Sequence, residues 1–267
     1  MALYGIIGVG NMGSAILRAA AAAFGKNEVA YYDASESKCR EIKEELGIMP
    51  ETDAASVLKN CKYPVLAVKP QQMAGLLKEI KPFANQNHIF ISIAAGISIQ
   101  SIKSILGIST RVVRAMPNTP AMLFRGATGV SFSKDEYSDE EKKELDTFFK
   151  SFGIYEIFDE SLMNAVTCAS GSSPAYVYMF IEALADSVVS LGIPRDKAYK
   201  LVSQAVLGAA AMVLETGKHP GVLKDQVCSP GGTTIAGIKA LEEGGFRNAV
   251  LKATDACYKR GNEMSLD

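Results

Sequence analysis

The chain has 267 residues, of which 48% are hydrophobic and 21% charged, and its formal net charge is −1. This length suits one large or two modest domains with real cores, and the balanced charge without a basic stripe excludes nucleic acid as an expected partner. Five cysteines without a CxxC pair and only two histidines argue against a zinc site and for reduced thiols. The apolar runs are too short to span a bilayer, so we expect a cytoplasmic protein without a membrane segment.

The first predicted element is a short apolar strand, Leu3 to Ile7, followed at once by a glycine-rich turn and an alanine-rich helix, Ser14 to Phe24. In such a strand–turn–helix unit the first glycine permits the tight turn and the second lets a pyrophosphate approach the backbone. The third lets the helix pack closely on the strand. The sequence therefore predicts a dinucleotide site that includes Gly8, Gly10, Asn11, Met12 and Gly13.

The second predicted strand, Glu28 to Tyr32, ends at Asp33, which lies 20 residues after Gly13. A ribose-binding acid is expected about 20 residues beyond such a glycine turn. A carboxylate here favours NADH, because it repels the 2′-phosphate of NADPH. The residues that follow could instead hold that phosphate, namely Ser35, Ser37, Lys38 and Arg40. The sequence therefore does not decide between NADH and NADPH.

Strands and helices continue to alternate up to about residue 159. We predict strands at 64–68, 88–93, 111–115, 127–132 and 154–158. Helices are predicted between the first and second, the second and third, and the last two of these strands, the final helix being marked by an apolar stripe of Leu145, Phe148, Phe149 and Phe152. This alternation predicts an α/β domain of Rossmann type with a doubly wound, mainly parallel sheet. Ligands of such sheets bind beyond the carboxyl ends of the strands, where Lys69, Ala94 and Met116 stand.

Helical patterns replace strands in the C-terminal part of the chain. We predict helices over Ser173–Leu191, Pro194–Thr216, Thr233–Glu243 and Phe246–Arg260. The second of them is apolar almost all round, which indicates deep burial, and so little chain cannot bury it alone. We therefore expect residues 1–159 to form a dinucleotide-binding domain and residues 160–267 to form an all-helical domain that doubles as a dimer interface.

The segment Ser229-Pro230-Gly231-Gly232-Thr233-Thr234 precedes one of these helices. Proline and two glycines break the chain, and the helix start leaves backbone N–H groups unpaired at its positive end, with hydroxyls beside them. Such a turn can receive a small carboxylate or phosphate. A plain helix start with good capping residues explains the same pattern.

No nucleophilic triad or metal cluster is evident. His88 begins a strand and His219 precedes a proline, and both suit structural positions better than catalytic ones. Cys228 has no evident base beside it. A nicotinamide site combined with an anion pocket, and without an obvious general acid, suits hydride transfer to a substrate that is already electrophilic, such as a protonated imine.

Five segments together carry a family resemblance. They are 7–13 (IGVGNMG), 67–70 (AVKP), 114–120 (RAMPNTP), 170–176 (SGSSPAY), and His219-Pro220 with Leu223-Lys224-Asp225 and 229–234 (SPGGTT). In these segments, and over nearly its whole length, the chain resembles the pyrroline-5-carboxylate reductase family. The resemblance implies reduction of 1-pyrroline-5-carboxylate, a cyclic imino acid, to L-proline by hydride transfer from NADPH or NADH, the final step of proline biosynthesis.

The same resemblance implies roles for particular residues. The substrate carboxylate would be bound by the turn after residue 228, through Ser229, Gly231, Gly232 and Thr233, while Thr234 would be catalytic through a hydrogen bond to the ring nitrogen. Met116, Pro117, Asn118 and Thr119 would wall the substrate pocket, and Val68, Lys69, Pro70 and Ala94 would border the cofactor. Family members often carry an asparagine near the adenosine ribose where this chain has Ala54.

The resemblance also implies an assembly and leaves rivals to compare. Helical domains of the family interlock into homodimers that often form decamers, so that each site would draw on two chains. A β-hydroxyacid dehydrogenase would share the Rossmann domain but needs a catalytic lysine, and the stretch 159–191 has none. A non-catalytic nicotinamide-binding regulatory protein would not need a second anion pocket.

Overall fold

Seven strands form one sheet in the computed structural model, which describes residues 2–264. The strands are β1 (Ala2–Ile7), β2 (Val29–Tyr32), β3 (Cys61–Leu66), β4 (Ile89–Ser92), β5 (Arg111–Met116), β6 (Gly126–Phe132) and β7 (Gly153–Ile157). Their order in the sheet is β2-β1-β3-β4-β5-β6-β7. All neighbours are parallel except β5 and β6, which run antiparallel. The predicted mainly parallel, doubly wound sheet is confirmed.

Helices cover both faces of this sheet. They are α1 (Asn11–Phe24), α2 (Glu36–Leu46), α3 (Ala54–Lys59), α4 (Pro70–Ile80), α5 (Ile99–Leu106) and α6 (Asp139–Lys150). One buried cluster contains apolar side chains of α1, α2 and α6, and another contains those of α3, α4 and α5. All four side chains of the stripe predicted near α6, from Leu145 to Phe152, are at most 1% exposed. Burial of these two apolar faces is what holds the sheet in place.

The last strands differ from the simplest reading of the sequence. The antiparallel pairing of β5 with β6 follows from the short connection between them, because a parallel neighbour needs a crossover of a dozen or more residues.

The helix α3 was not predicted, since it has only six residues; its start is marked by Asp53, whose carboxylate accepts the N–H of Ser56. Strand β3 begins at Cys61, three residues before its predicted start.

An irregular helical segment ends this first part of the chain. The short helix α7 (Met163–Val166) continues into a π-helical turn, Thr167–Gly171, which was not predicted and which ends with Ser172 N–H bonded to the carbonyl of Thr167 at 2.8 Å. Turns of this kind are rare and occur often at functional sites. The side chains of Met163 and Val166 form a small buried cluster with Met116, at the end of β5.

Five further helices follow within the described residues: α8 (Ser173–Ser190), α9 (Arg195–Thr216), α10 (Pro220–Val227), α11 (Thr233–Glu243) and α12 (Phe246–Met264). The short α10 was not predicted as a helix. The chain divides into two compact units, one that runs through Ser172 and resumes at Cys257, and one formed by Ser173–Ala256. Within the first unit, Cys257 Sγ donates to Ser172 Oγ at 3.3 Å. Asn164 Nδ2 donates to Asn262 Oδ1 at 2.7 Å.

The helical unit buries few of its apolar side chains. Ala185 of α8 packs with Ala198 and Val202 of α9, but Leu207 and Leu214 of α9 are 59% and 73% exposed. The burial predicted for α9 is therefore not supplied within one chain. Among the residues described, no helix combines the length and the apolar character required to cross a membrane.

Candidate functional site

The predicted cofactor residues of the first unit lie at one edge of the sheet. Strands β1 to β5 are mutually parallel, so the turns that follow them leave the sheet on the same side. These turns contain the glycine segment 8–13, the pair Asp33 and Ser35, the segment 68–70, Ala94, and the segment 116–119. The fold thus gathers five separated stretches of sequence at the edge where ligands of such sheets bind.

Gly8 and Gly13 let α1 start against the sheet. Gly8 has a φ of 97°, and a Cβ there would lie 2.8 Å from the carbonyl oxygen of Ala67. A Cβ on Gly13 would lie 1.9 Å from the carbonyl oxygen of Gly8. Neither position can hold a larger residue without a shift of the backbone. The close approach of α1 to β1 and β3 depends on both glycines.

Gly10 differs from these two glycines. Its φ of −64° suits any residue, and no heavy atom among residues 2–264 lies within 4 Å of a Cβ built there, apart from its chain neighbours and its own helix backbone. Gly10 is the N-cap of α1, whose first N–H groups point outward with the positive end of the helix dipole. Open space over a helix N-terminus fits the pyrophosphate of a dinucleotide.

Asp33 connects the end of β2 to the glycine segment. Its Oδ2 accepts the N–H of Val9 at 2.8 Å, and its Oδ1 accepts the N–H of Ser35 at 2.9 Å. The ammonium group of Lys38 lies 3.7 Å from Oδ2. The carboxylate therefore fixes the position of the glycine segment through a backbone bond, besides standing where a ribose-binding acid is expected.

The segments after β3 and β4 border the same edge. Helix α4 begins at Pro70, and the N–H of Lys69 donates to Oε1 of Gln72 at 3.2 Å. Lys69 is exposed, Val68 is half-buried and Ala94 is 3% exposed. Proline at the first helical position favours the start of α4 at this point.

The segment after β5 is held by Asn118. This side chain is buried, its Nδ2 donates to the carbonyl of Ser170 at 3.0 Å, and its Oδ1 accepts the N–H of Ala127 at 2.9 Å. Pro117 is buried beside it, whereas Thr119 is exposed. Both ends of the Asn118 amide are thus bonded to the protein backbone. Asn118 and Met116 together fix the segment 116–119 against the π-helical turn.

Two groups that sequence reasoning did not assign support this segment. Ser170 lies in the segment 170–176, whose residue pattern does not indicate a role for its carbonyl. Arg114 of β5 is buried, and its Nη1 lies 3.1 Å from Oε1 of Glu160, which also accepts the N–H of Ile99 at 2.7 Å. The charged residue in a buried strand was the sequence signal for this contact.

The turn from Ser229 to Gly232 belongs to the helical unit. The N–H of Gly232 donates to the carbonyl of Ser229 at 3.0 Å, and Gly231 between them has a φ of 66°. Proline at the second position and a left-handed glycine at the third are typical of a type II turn. The turn leads directly into α11, so the N–H groups of Thr233 and Thr234 lie in its first turn, beside their own hydroxyls.

The two histidines hold backbone groups. His88 is 4% exposed, its Nδ1 accepts the N–H of Asn85 at 3.1 Å, and its Nε2 lies 3.0 Å from the carbonyl of Leu58. Burial lowers the pKa of His88 below its ordinary value. His219 is the N-cap of α10, where its Nδ1 accepts the N–H of Gly221 at 3.1 Å. Over residues 2–264, no cluster of three acidic, histidine or cysteine side chains could hold a metal ion.

Comparison with known proteins adds to this geometry. The family described as pyrroline-5-carboxylate reductase dimerisation matches residues 160–264, and the family described as NADP oxidoreductase coenzyme F420-dependent matches residues 3–96. The chain is 42% identical to the pyrroline-5-carboxylate reductase of Escherichia coli over 263 residues, which cover 98% of this chain and 97% of that protein.

Solved structures resemble the whole chain as well. A pyrroline-5-carboxylate reductase from Coxiella burnetii superposes with a TM-score of 0.91 at 33% identity, covering 100% of this chain and 99% of the other. The pyrroline carboxylate reductase of Plasmodium falciparum, with NADP bound, superposes with a TM-score of 0.88 at 32% identity, covering 99% and 98%.

Proposed function

Because the chain belongs to the pyrroline-5-carboxylate reductase family, we propose how its own residues divide the reaction between them. The protein reduces 1-pyrroline-5-carboxylate to L-proline, the last step of proline biosynthesis, and uses NADPH or NADH. The nicotinamide cofactor supplies the hydride. What remains for the protein is to bind two anionic molecules, to orient the imine carbon toward the donor, and to exclude water from the site.

The cofactor is proposed to bind at the carboxyl edge of the sheet. Gly8, Gly10, Asn11, Met12 and Gly13 would receive its pyrophosphate, Asp33 and Ser35 its adenosine ribose, and Val68, Lys69, Pro70 and Ala94 would border the rest. The open space at Gly10 and the unpaired N–H groups at the start of α1 support this placement. The positive end of α1 stabilises a bound pyrophosphate.

The substrate carboxylate is proposed to bind at the type II turn that precedes α11. Ser229, Gly231, Gly232 and Thr233 would receive it through backbone N–H groups and hydroxyls. The observation that carries this assignment is the left-handed Gly231, which turns the chain so that the first N–H groups of α11 are left for a ligand. Thr234, half-buried one residue further on, would hydrogen-bond the ring nitrogen that becomes the amine of proline.

The segment Met116, Pro117, Asn118 and Thr119 is proposed to wall the pocket. Its position is fixed from behind, because Asn118 is bonded to the backbone on both sides and Met116 is packed against Met163 and Val166. A rigid pocket wall keeps the imine in one orientation. Orientation of two reactants lowers the activation barrier by up to about 7–11 kcal/mol in favourable cases.

The protein forms homo-oligomers through its dimerisation region. A groove of about 500 Å³ in the helical unit, lined by Met179, Phe180, Leu184, Leu241, Phe246 and Val250, offers apolar surface for that contact. We propose that dimers associate further into decamers, that each site draws on two chains, and that the protein is cytoplasmic. We also propose that residues 1–159 form the dinucleotide-binding domain and residues 160–267 the dimerisation and substrate-binding domain.

The function is tested by oxidation of NADPH and of NADH in the presence of pyrroline-5-carboxylate. We expect loss of reduced-nicotinamide absorbance together with formation of proline. A hydroxyacid supplied with NAD serves as the control substrate and should give no reaction, because the stretch 159–191 contains no lysine. Cofactor binding without turnover of the imine would contradict the assignment.

A further inference from the structure

The end of β2 carries two kinds of group that suit different cofactors. Asp33 suits a ribose hydroxyl, whereas Ser35, Ser37 and Lys38 suit a phosphate. The structure fixes the carboxylate in place, because its two oxygens accept the N–H groups of Val9 and Ser35 and only 12% of the side chain is exposed. Asp33 therefore cannot turn away from an incoming anion without losing its bond to the glycine segment.

Three of the four groups that could bind a 2′-phosphate are already engaged, and the fourth, Arg40, lines a cavity together with Glu36 and Glu51. The N–H of Ser35 is bonded to Oδ1 of Asp33 at 2.9 Å, and the hydroxyl of Ser35 is 2.9 Å from that of Ser37. The ammonium group of Lys38 lies 3.7 Å from Oδ2 of Asp33. A phosphate at this position would have to compete with a neighbouring carboxylate for both the N–H and the cation.

The charges that line the neighbouring cavity balance one another apart from that of Asp33. A cavity of about 340 Å³ beside β2 is lined by three carboxylates and two cations, namely Asp33, Glu36, Glu51, Arg40 and Lys43. A ribose with a free 2′-hydroxyl can donate to Asp33, since a carboxylate has about four lone-pair positions and the two N–H bonds leave some of them unused. A doubly charged phosphate gains no such bond and meets repulsion instead.

We propose that Asp33 makes this protein select NADH over NADPH. The inference rests on the proposed function for the class of cofactor and adds which of the two cofactors is bound. The same carboxylate has two effects: it braces the glycine segment, which serves both cofactors, and it repels the 2′-phosphate, which only one of them carries.

Isothermal titration calorimetry of NADH and NADPH, on the full chain and without substrate, measures this selection directly. We expect NADH to bind about tenfold more tightly than NADPH to the native protein. In Asp33→Asn the charge is gone, and we expect the affinity ratio to move at least about tenfold toward NADPH. Loss of the brace weakens both cofactors alike, so the ratio isolates the charge.

Glu36→Gln is the matched control, because it removes one negative charge from the rim of the same cavity at an exposed position. Its affinity ratio should change by less than about threefold. If Asp33→Asn does not fold, Asp33→Ser removes the same charge. Tighter binding of NADPH by the native protein, an unchanged ratio in the Asp33 variants, or binding of neither cofactor would overturn the inference. Selective binding of NADH without turnover of the imine would instead refute the proposed function alone.

Discussion

The side-chain amide of Asn118 donates to the carbonyl oxygen of Ser170, 3.0 Å away, and so joins the segment after β5 to a π-helical turn 52 residues further along the chain. The other end of the same amide accepts the N–H of Ala127. A side chain with both ends engaged is well placed to set the position of its own backbone. We therefore propose that Asn118 acts as a positioning residue for the substrate pocket.

Asn118→Ala should lower both stability and catalytic efficiency. It leaves a half-buried carbonyl and a half-buried N–H without their side-chain partner, at a cost of about 1–3 kcal/mol in the free energy of unfolding. Displacement of the segment 116–119 should reduce kcat more than it raises KM. Denaturant unfolding and steady-state kinetics measure the two effects. Asn87→Ala, at an exposed position, should change neither; equal kinetics in both variants would exclude the positioning role.

Thr234 and Ser229, at the two ends of the segment 229–234, should respond differently to substitution. Thr234→Ala removes a bond to the reacting nitrogen and should lower kcat by about 10- to 100-fold, since a hydrogen bond to a charged group contributes roughly 1.5–3 kcal/mol. Ser229→Ala should mainly raise KM for the imine, because it weakens binding of the carboxylate. Thr254→Ala on α12, where the hydroxyl bonds its own helix at Val250, is the control. Unchanged kinetics in both site variants would refute the assignment.

Substitution of Gly13 should affect mainly stability, whereas substitution of Gly10 should affect mainly cofactor binding. Gly13→Ala places a methyl group 1.9 Å from a carbonyl oxygen and should destabilise the protein by about 3 kcal/mol or more. Gly10→Ala meets open space and should leave the melting temperature nearly unchanged, yet it should weaken NADH binding strongly because the methyl group occupies the place of the pyrophosphate. Full cofactor affinity in Gly10→Ala would place the pyrophosphate elsewhere.

A charge in the apolar groove should prevent association of the helical units. Met179 is 69% exposed and lines the groove, so Met179→Glu keeps the fold of the chain while making burial of this surface unfavourable. We expect light scattering to show a smaller assembly and activity to fall with it. Ile108→Glu, at a position that is 73% exposed in the first unit, should retain the native assembly. A native-size Met179→Glu assembly would show that another surface forms the dimer.

Stability should fall when the pH drops below about 6.5, the ordinary pKa of a histidine. Burial lowers the pKa of His88 in the folded chain, so the unfolded chain binds more protons in this range and unfolding becomes easier. Nδ1 already accepts an N–H, which further disfavours a proton there. Thermal unfolding of His88→Gln between pH 7 and pH 5 should show a smaller decrease in stability than that of the native protein. An equal decrease in both proteins would exclude His88 as the cause.

Sequence patterns predicted most of the first unit because its elements are long, strongly periodic and punctuated by glycine. The apolar stripe from Leu145 to Phe152 and the glycine turn with Gly8 and Gly13 could be interpreted from the local sequence alone. The direction of β6 could not be read from its residues, since parallel and antiparallel strands have the same alternation; only the short connection after Met116 decides it. The π-helical turn has no local signature, because it differs from an α-helix only by one inserted residue.

The residues of the candidate site are a prediction from the sequence, but the hydrogen bonds among them could not be predicted in that way. Spacing placed Asp33 at the end of β2, yet nothing in the spacing indicates that its carboxylate accepts the N–H of Val9. Asn118 was similarly expected only as one residue of the pocket wall, and the bonds of its amide to Ala127 and Ser170 became visible only when three distant segments were brought together. Contacts that join separate segments depend on the tertiary structure, which local patterns do not encode.

The junction at Ser172 and Cys257 has a consequence for biosynthesis. A ribosome delivers all seven strands long before it delivers α12, yet Asn262, near the end of α12, is bonded to Asn164 beside the π-helical turn. Until α12 has been synthesised, the segment around the π-helical turn that supports Asn118 lacks its hydrogen bonds to that helix. The nucleotide-binding half of the nascent chain is thus completed last, and the order of synthesis delays assembly of a competent catalyst until the helical segment between these two residues has been made.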